Sequence, residues 1–324
     1  MVARSASQDA KLVFFDRRMI EARDYWRKYL SRDVAVASLA PDFPRPRHAA
    51  PHDSRVSFEI GGATGERIGK VTSEKPLLVH ALLLAALNVV LFRLTGAREV
   101  AVGSPSTADL PEPNALPVLN VLDPSQTFKS LLQQTRLTLL DVVLHQEYPW
   151  WMLIRDLELD QIVDRCPLFT VALSIGGYHG ELPPTNHDVA VHAVFAAQRL
   201  TGHIAFSGDL FDASSIERVA RSINMVLDTA LANMETALSD IDLCTSDERT
   251  RLLHEWSGAA TAQPVPTAFH RMFESQADRM PGASAAVFED DSITYGELDA
   301  RANRLAGAQT TPARRQLHCG VCSR

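Results

Sequence analysis

The sequence predicts an α/β protein. Short apolar runs typical of β-strands are interspersed along the chain with longer segments of helical periodicity, which is the pattern of this fold class. Of the 324 residues, 46% are hydrophobic and 22% are charged, as in ordinary globular proteins. A chain of this length is expected to form one large domain or two smaller ones.

Helical periodicity and helix-start signals predict five helices in the first part of the chain. They are expected at 17–30, 77–94, 127–144, in a short segment after Pro149, and at 214–234 with Asp212 as the N-cap. The segment 77–94 is apolar nearly all round, and Pro76 and Gly96 flank it. We therefore predict that it is a buried core helix and not a membrane span.

Five strands are predicted from alternating or β-branched apolar residues. They are expected at 55–60, 99–103, 168–175, 189–195 and 202–207, with the last two forming a hairpin. Two polar segments separate some of them and are predicted to be loops. These are 104–117, rich in Pro, Asp and Glu, and 176–188, with Gly, Pro and Asn.

A second unit is predicted after a boundary at 242–263. It contains a short helix from Ser246 to about Trp256, a helix at 267–280, two short strands at 283–288 and 292–294, and a helix at 295–306. Only about 40 residues of this unit have the pattern of packed structure, which is marginal for a core of its own. From residue 307 onward the apolar period stops.

Charge and cysteine content exclude several classes of function. The net charge of −7 and the pI near 5.9 argue against a general nucleic-acid binder. The N-terminal residues show no apolar signal-peptide core. Cys166 and Cys244 stand alone and are predicted to be buried thiols, while Cys319 and Cys322 lack the second ligand pair that a zinc site needs. We expect a reducing, cytoplasmic compartment and no metal site.

The residues themselves offer little catalytic chemistry. No H-E-x-x-H, G-x-S-x-G, G-x-G-x-x-G or G-x-x-x-x-G-K-[ST] motif is present. His145 lies two residues before Glu147, and a His–Glu pair can do acid–base work. The alternative is a histidine at a helix end that contacts the backbone.

The second unit resembles the start of the adenylation domains of non-ribosomal peptide synthetases. The run Thr294-Tyr295-Gly296-Glu297-Leu298-Asp299, followed by Arg301, Ala302 and Asn303, is similar to their first core motif, T-Y-x-E-L-D-x-R-A-N-x-L-A. The resemblance selects Thr294, Tyr295, Glu297 and Leu298 as its motif residues. Tyr295, Glu297 and Arg301 are expected to stabilise the start of the domain instead of contacting substrate.

The first unit resembles the C-terminal lobe of a condensation domain, which precedes an adenylation domain in these assembly lines. His145-Gln146-Glu147-Tyr148-Pro149-Trp150 is similar to the motif H-Q-D-x-P-F-E, and Arg165-Cys166-Pro167-Leu168-Phe169 to R-N-P-L-F. Residues 116–120 resemble a degraded G-x-F-V-N motif that retains only Asn120. The resemblance therefore selects six candidate tunnel or motif residues: Asn120, His145, Gln146, Pro149, Arg165 and Pro167.

The resemblance implies a fold and a division of the chain. A lobe similar to chloramphenicol acetyltransferase, with a mixed sheet and flanking helices, is expected at 1–243, followed by a linker at 244–265, the start of an adenylation domain at 266–306 and an irregular tail at 307–324. In the family, two such lobes enclose a tunnel for two phosphopantetheine-tethered acyl groups. Residues 104–117, Asn120 and 176–188 are expected to line it.

The resemblance also implies what the sequence lacks. The family's other lobe carries H-H-x-x-x-D-G, and neither that motif nor the later ATP-binding motifs of adenylation domains occur in these residues. We therefore expect a truncated synthetase fragment from secondary-metabolite or antibiotic peptide biosynthesis, inactive alone and binding no cofactor. Carrier proteins and synthetase subunits are the implied partners, with phosphopantetheine on the carrier and ATP in the full synthetase, and with no nucleic acid or membrane. The alternatives are a non-catalytic docking scaffold and a stand-alone acyltransferase that uses a residue such as His145.

Overall fold

The computed structural model describes residues 17–30, 37–46, 52–110, 112–159, 165–244, 246–250, 269–289 and 291–309. The chain forms two compact units, one up to Thr245 and one from Ser246. The helices of the first unit are α1 (Arg17–Tyr29), α2 (Gly62–Thr72), α3 (Pro76–Thr95), α4 (Phe128–Leu144), α5 (Trp150–Asp156) and α6 (Ala213–Ala232). Its strands are β1 (Ser54–Ile60), β2 (Glu99–Pro105), β3 (Ala115–Val121), β4 (Val171–Ile175), β5 (Val189–Ala196) and β6 (Arg199–Phe206).

The six strands form one mixed sheet in the order β1-β6-β5-β4-β2-β3. The pairs β2–β4 and β4–β5 are parallel, and the other three pairs are antiparallel. Helices α2, α3, α4 and α6 contact β6, β2, β3 and β1 respectively, so they cover one face of the sheet. The predicted α/β class, with a mixed sheet and flanking helices, is confirmed.

Helix α3 is the centre of the core. By length and composition alone, Pro76–Thr95 is apolar enough to cross a membrane, but 78% of its most apolar window is buried inside the domain. Pro76 occupies the first turn, where a missing N–H costs nothing, and Gly96 adopts a left-handed conformation at the C-cap. The predicted burial of this helix is confirmed.

Strand β3 was not predicted, because Pro117 lies in its middle. A proline has no N–H to donate to a neighbouring strand, so it is tolerated only where one side of the strand is unpaired. β3 meets this condition, since it pairs with β2 alone and ends the sheet. Together with the extension of β2 to Pro105, it shortens the loop predicted at 104–117 to residues 106–114.

Helix α2 was also missed, because its large apolar side chains are few. Its buried positions are Thr64, Gly65, Ile68 and Thr72, a pattern with little apolar period. A β-carbon at Gly65 would lie 2.1 Å from the carbonyl oxygen of Gln198. The helix therefore packs directly on the backbone of the β5–β6 turn, and glycine is required for that approach.

The predicted hairpin is present, but β6 begins three residues earlier than expected. Ala197 and Gln198 both have positive φ, as in the two-residue type I′ turns that suit the twist of paired strands. Gly202, where the strand was expected to begin, lies inside it. A β-carbon there would lie 2.1 Å from the carbonyl oxygen of His192, which is a clash, so the close packing requires glycine at this position.

The N-terminus of α6 is capped differently from the prediction. Asp212 occupies the N-cap position, but its side chain makes no capping hydrogen bond. Asp42 instead accepts hydrogen bonds from the Asp212 N–H and from the Ser215 hydroxyl, both at 2.9 Å. A residue distant in sequence thus supplies the carboxylate that stabilises this helix end.

The second unit contains α7 (Ser246–Thr250), α8 (Phe269–Arg279), the antiparallel strands β7 (Ser284–Phe288) and β8 (Asp291–Thr294), and α9 (Tyr295–Gln309). Helix α9 continues to residue 309, three residues beyond its predicted end, so residues 307–309 are helical and do not belong to an irregular tail. Cys319 and Cys322 lie outside the described residues, as do Trp256 and most of the predicted linker at 244–265. Among the described residues of this unit, Ala277 is the one buried hydrophobic residue.

Candidate functional site

Two loops meet at the carboxyl ends of β2 and β4. Thr107 forms an isolated bridge with His179, the Ala108 N–H donates to the Tyr178 carbonyl, and the Gly180 N–H donates to the Ser106 carbonyl, the last two at 3.0 Å. The loop after β2 and the loop at 176–188 are the two segments that sequence reasoning expected to line a tunnel. The structure brings them together.

Asn114, which sequence reasoning missed, joins the first of these loops to the segment 145–150. Its Nδ2 donates to the carbonyls of Gln146 and Tyr148, both at 2.8 Å. Its Oδ1 accepts from the N–H groups of Ala115 at 3.0 Å and Trp150 at 2.9 Å. The side chain is 6% exposed and uses all four of its hydrogen-bonding positions. It therefore fixes the segment 145–150 against the start of β3.

Gln146 continues the same network. Its Oε1 accepts from the Thr107 N–H at 2.9 Å, and its Nε2 donates to the Thr107 hydroxyl at 3.0 Å. Since Thr107 also pairs with His179, this side chain links the segment 145–150 to both loops. Pro149 closes the segment as the N-cap of α5, and the short helix predicted after it is present.

His145 lies at the C-terminal end of α4 and faces α1. Its ring stacks on Tyr25 with centroids 3.8 Å apart, and its Nδ1 is 2.7 Å from the Asp141 carbonyl, so Nδ1 carries the proton. Trp26 Nε1 donates to the His145 carbonyl at 3.0 Å. The geometry is that of a helix-end histidine that contacts the backbone. A polar cavity of about 290 Å³, which Glu147 also lines, adjoins the ring.

A second polar cluster lies beneath the loops and was not predicted. The Ser104 hydroxyl is 3.4 Å from His80 Nε2 and 3.3 Å from His179 Nε2. The Ile175 N–H donates to His179 Nδ1 at 2.8 Å, so Nε2 of His179 carries the proton and donates to Ser104. Its three residues come from segments that are distant in sequence, so no local sequence motif could predict the cluster.

Burial controls the charge of this cluster. It lowers the pKa of His179 to about 4 and the pKa of His80 well below its usual value, so both rings are neutral at pH 7. His80 Nδ1 has no hydrogen-bond partner among the described residues. His179 donates to Ser104 instead of accepting from it, and Ser104 is 2% exposed, so the cluster presents no serine nucleophile at the surface.

Asn120 lies apart from this network. It is fully buried on the helix-covered face of the sheet, where the Thr135 hydroxyl donates to its Oδ1 at 3.3 Å. Arg165 is exposed and Pro167 half-buried on the segment that leads to β4, where the Cys166 N–H donates to the Asn186 carbonyl at 2.9 Å. Of the six residues selected in the first unit, His145, Gln146 and Pro149 lie on one segment, Arg165 and Pro167 on another, and Asn120 apart from both.

A buried ion pair anchors the far end of the loop at 176–188. Arg45 Nη1 and Nη2 donate to the two carboxylate oxygens of Asp188, at 2.8 Å and 2.6 Å. The Asp188 side chain is only 4% exposed. Its N–H donates to Thr170, whose hydroxyl donates to the Ala37 carbonyl. The segment after α1 is therefore held to this loop by a bidentate, charge-assisted contact.

Similarity to known proteins decides the family. The sequence model of the family described as "Condensation domain" matches residues 15–253, which is most of the chain. The chain belongs to the condensation-domain family. The network of Asn114, Gln146, Thr107 and His179 is therefore part of a condensation-domain fold.

The relatives of this condensation-domain chain include very long synthetases. It is 28% identical to bacitracin synthase 3 of Bacillus licheniformis over 93% of the chain, and 30% identical to tyrocidine synthase 3 of Brevibacillus parabrevis over 87%. It is also 28% identical to surfactin synthase subunit 2 of Bacillus subtilis (strain 168) over 94% of the chain. The chain spans 5% of the length of the first two relatives and 9% of the third.

Solved structures show the same fold. A four-domain non-ribosomal peptide synthetase, holo-AB3403 bound to AMP and glycine, aligns with a TM-score of 0.72 at 16% identity, over 89% of this chain and 25% of its own. The X-domain from teicoplanin biosynthesis aligns with a TM-score of 0.61 at 21% identity, over 70% of this chain and 58% of its own. At these identities the likeness shows the fold of the condensation-domain chain.

The four residues selected in the second unit lie beyond the part that the family model matches. The Thr294 N–H and hydroxyl donate to the Glu297 carboxylate at 3.0 Å and 3.1 Å, and the Glu297 N–H donates back to the Thr294 hydroxyl. This is a capping box that starts α9. Tyr295 contacts the Phe273 ring with centroids 5.7 Å apart, and Leu298 is half-buried. Thr294, Tyr295 and Glu297 therefore have structural contacts.

Proposed function

We propose that this chain works within a non-ribosomal peptide synthetase and forms one wall of the site where two carrier-bound acyl groups are joined. One observation carries the proposal: the loop after β2 and the loop at 176–188 are joined by the Thr107–His179 bridge and two backbone hydrogen bonds. Gln146 and Asn114 fix the first of these loops to the segment 145–150. Amide formation between tethered groups requires a rigid surface that holds both in position. The relatives that are named synthases support this assignment.

The wall does not by itself complete the chemistry in this proposal. The attacking amine must lose a proton, and no H-H-x-x-x-D-G motif is encoded in these residues to assist it. Among the described residues, His145 is stacked on Tyr25 and His179 donates its proton to Ser104. We therefore expect the base to come from a second lobe, and these 324 residues alone to form no peptide bond.

The proposal extends to the second unit, where 266–306 would be the start of an adenylation domain after a linker at 244–265. Residues beyond 253 make up more than a fifth of the chain, so an alignment over 93% of it with bacitracin synthase 3 must include much of that segment. The capping box at Thr294 and Glu297 also supports the motif. ATP would bind in the complete synthetase, at motifs that these residues do not contain.

The proposed partners are carrier proteins with a phosphopantetheine arm, and other synthetase subunits. The test uses a carrier from a relative such as tyrocidine synthase 3, loaded with a pantetheine analogue that bears a photoreactive diazirine. On illumination, mass spectrometry is expected to find cross-links in the loop after β2 and in the loop at 176–188. The matched control is the same diazirine-bearing pantetheine analogue free in solution, without a carrier. Equal labelling by that control, or labelling elsewhere only, would contradict the proposal.

Catalysis is measured separately. The chain is mixed with a donor acyl carrier and an acceptor aminoacyl carrier, and thioester-bound products are released and identified by mass spectrometry. The rate of condensed-product formation is expected to equal the rate measured without this chain. Product formation by this chain alone would refute its proposed dependence on a second lobe, and the variant His145→Ala would then show whether His145 is the base.

A further inference from the structure

The two edges of the six-stranded sheet are finished differently. At the β3 edge, the Tyr29 hydroxyl accepts from the Leu119 N–H at 2.7 Å and donates to the Leu119 carbonyl at 3.0 Å. Gln134 Nε2 donates to the Val121 carbonyl on the same strand. At the β1 edge, no described residue outside β6 forms a hydrogen bond with the backbone of Ser54–Ile60. Such an edge is a template for another strand.

The uncovered edge of β1 opens into a groove beside α6. The groove has a volume of about 550 Å³. Half-buried Val56 and Phe58 lie on its strand side. Helix α6 contributes two small residues, Ala213 and Ala220, and three polar ones, Glu217, Arg221 and Asn224. The groove therefore offers the outward backbone groups of β1 beside a lining of mixed polar and apolar side chains.

The sequence of β1 is complementary to itself when it is reversed. In an antiparallel pair centred on Ser57, Arg55 lies opposite the partner's Glu59, and Glu59 opposite the partner's Arg55. On the other face of the strand, Val56 lies opposite the partner's Phe58. Opposite charges and apolar pairs are the cross-strand contacts that stabilise antiparallel sheets.

Neighbouring registers lack this complementarity. A pair centred on Val56 would bring Glu59 opposite the partner's Asp53, which places two like charges together. A pair centred on Phe58 would leave Arg55 opposite the partner's Gly61, with no charge to meet it. A shift by one residue would bring apolar side chains opposite polar ones. The pattern thus specifies one register.

We propose that β1 pairs antiparallel with β1 of a second copy of this chain, centred on Ser57, so that two six-stranded sheets join into one. The pair obeys two-fold symmetry, in which the same patch serves both copies. Seven-residue strands bury little surface, so the dimer is weak and concentration-dependent. The inference depends on β1 and α6 alone and does not require the proposed function.

Charge reversal tests the pairing by sedimentation velocity over a concentration series. The unsubstituted chain is expected to move from monomer to dimer as its concentration rises. Arg55→Glu and Glu59→Arg each bring like charges together and are expected to weaken the dimer at least tenfold, whereas the double variant R55E/E59R restores opposite charges and recovers it. Arg199→Ala is the control, because Arg199 pairs with Glu59 within one chain and its loss should leave the dimer intact.

A cross-linking experiment tests the register. Ser57→Cys places two thiols opposite each other at the symmetry axis, so mild oxidation is expected to give more covalent dimer than the native cysteines of the unsubstituted chain do. Thr201→Cys, an exposed position on the inner strand β6, is the matched control and should give only that background. Circular dichroism of each variant confirms folding.

A chain that stays monomeric at every concentration would overturn the proposal. So would a double variant that fails to recover the dimer, or equal cross-linking at Ser57→Cys and Thr201→Cys. Because the substituted side chains are exposed, the variants are expected to fold, so unfolding should not obscure these outcomes.

Discussion

Asn114 shows how one buried side chain organises the site. All four of its hydrogen-bonding positions are occupied by backbone groups of Gln146, Tyr148, Ala115 and Trp150. A motif comparison selected Asn120 instead, six residues later, which faces the helices. Both are asparagines beside apolar residues, so sequence alone did not separate them. The two asparagines differ in the residues that surround them in the folded chain.

We expect Asn114→Ala to destabilise the fold strongly. It would remove the side-chain partner of two carbonyls and two N–H groups, at a cost of about 3 kcal/mol in the free energy of unfolding. Urea denaturation measures this cost. Gln146→Ala removes a half-buried side chain with fewer partners and should cost about 1 kcal/mol. A loss below about 0.5 kcal/mol for Asn114→Ala would contradict the role of Asn114.

The buried histidines predict a pH dependence of stability. The pKa of His179 is about 4 in the folded chain and near 6.5 when unfolded, so between these values only the unfolded state binds the proton. Stability should therefore fall as the pH drops from about 6.5 to 4, and stay flat above that window. We expect urea denaturation to show a smaller loss between pH 7.5 and pH 5 in His179→Gln. An identical loss in both proteins would argue against this histidine as the cause.

Among the elements, those with a strong apolar period were predicted well, and those that depend on contacts were not. The bounds of α3 and α4 differ from expectation by about one residue, because their apolar faces are long and continuous. Strand β3 was hidden by Pro117, and α2 by its small number of large apolar side chains, since both depend on neighbours that sequence order does not show. The site has the same division. Its two loops were predicted from composition, but the cluster of Ser104, His80 and His179 was not.

Gly202 tests the close packing of the β5–β6 hairpin. A β-carbon there would meet the His192 carbonyl oxygen at 2.1 Å and the Phe58 ring at 2.8 Å, and backbone cannot move aside cheaply. We expect Gly202→Ala to lower the free energy of unfolding by about 2 kcal/mol or more. Gly61→Ala is the matched control. Its β-carbon would meet nothing closer than 3.7 Å, so a change below about 0.5 kcal/mol is expected. Equal effects of the two substitutions, measured by urea denaturation, would refute the packing argument.

On the scale of the whole molecule, the two units differ in how much core each builds. The first has a continuous core around α3. In the second, Phe269 is 85% exposed, Val287 68% and Phe288 75%. Burial of apolar surface is the main source of folding free energy, so a unit that buries so little lacks cooperative stability.

We therefore expect residues 246–324, produced alone, to show no cooperative thermal transition by circular dichroism. The comparison is the chain up to residue 245, which should unfold in a single sigmoidal step. A sharp melting transition in residues 246–324 alone would show that the second unit has a core that its apolar exposure does not reveal.

The hydroxyl of Tyr29 has a consequence for the rate at which backbone protons leave the sheet. Because it holds the Leu119 N–H on the outer side of an edge strand, that amide should exchange with deuterated solvent as slowly as an interior one. No described residue guards the outward amides of β1 in this way, so they should exchange within seconds in dilute solution. Tyr29→Phe should release the Leu119 amide without changing β1. One hydrogen-exchange experiment thus measures both edges of the sheet. If the β1 amides exchange more slowly as the protein concentration rises, that protection would show directly that β1 pairs with a second copy.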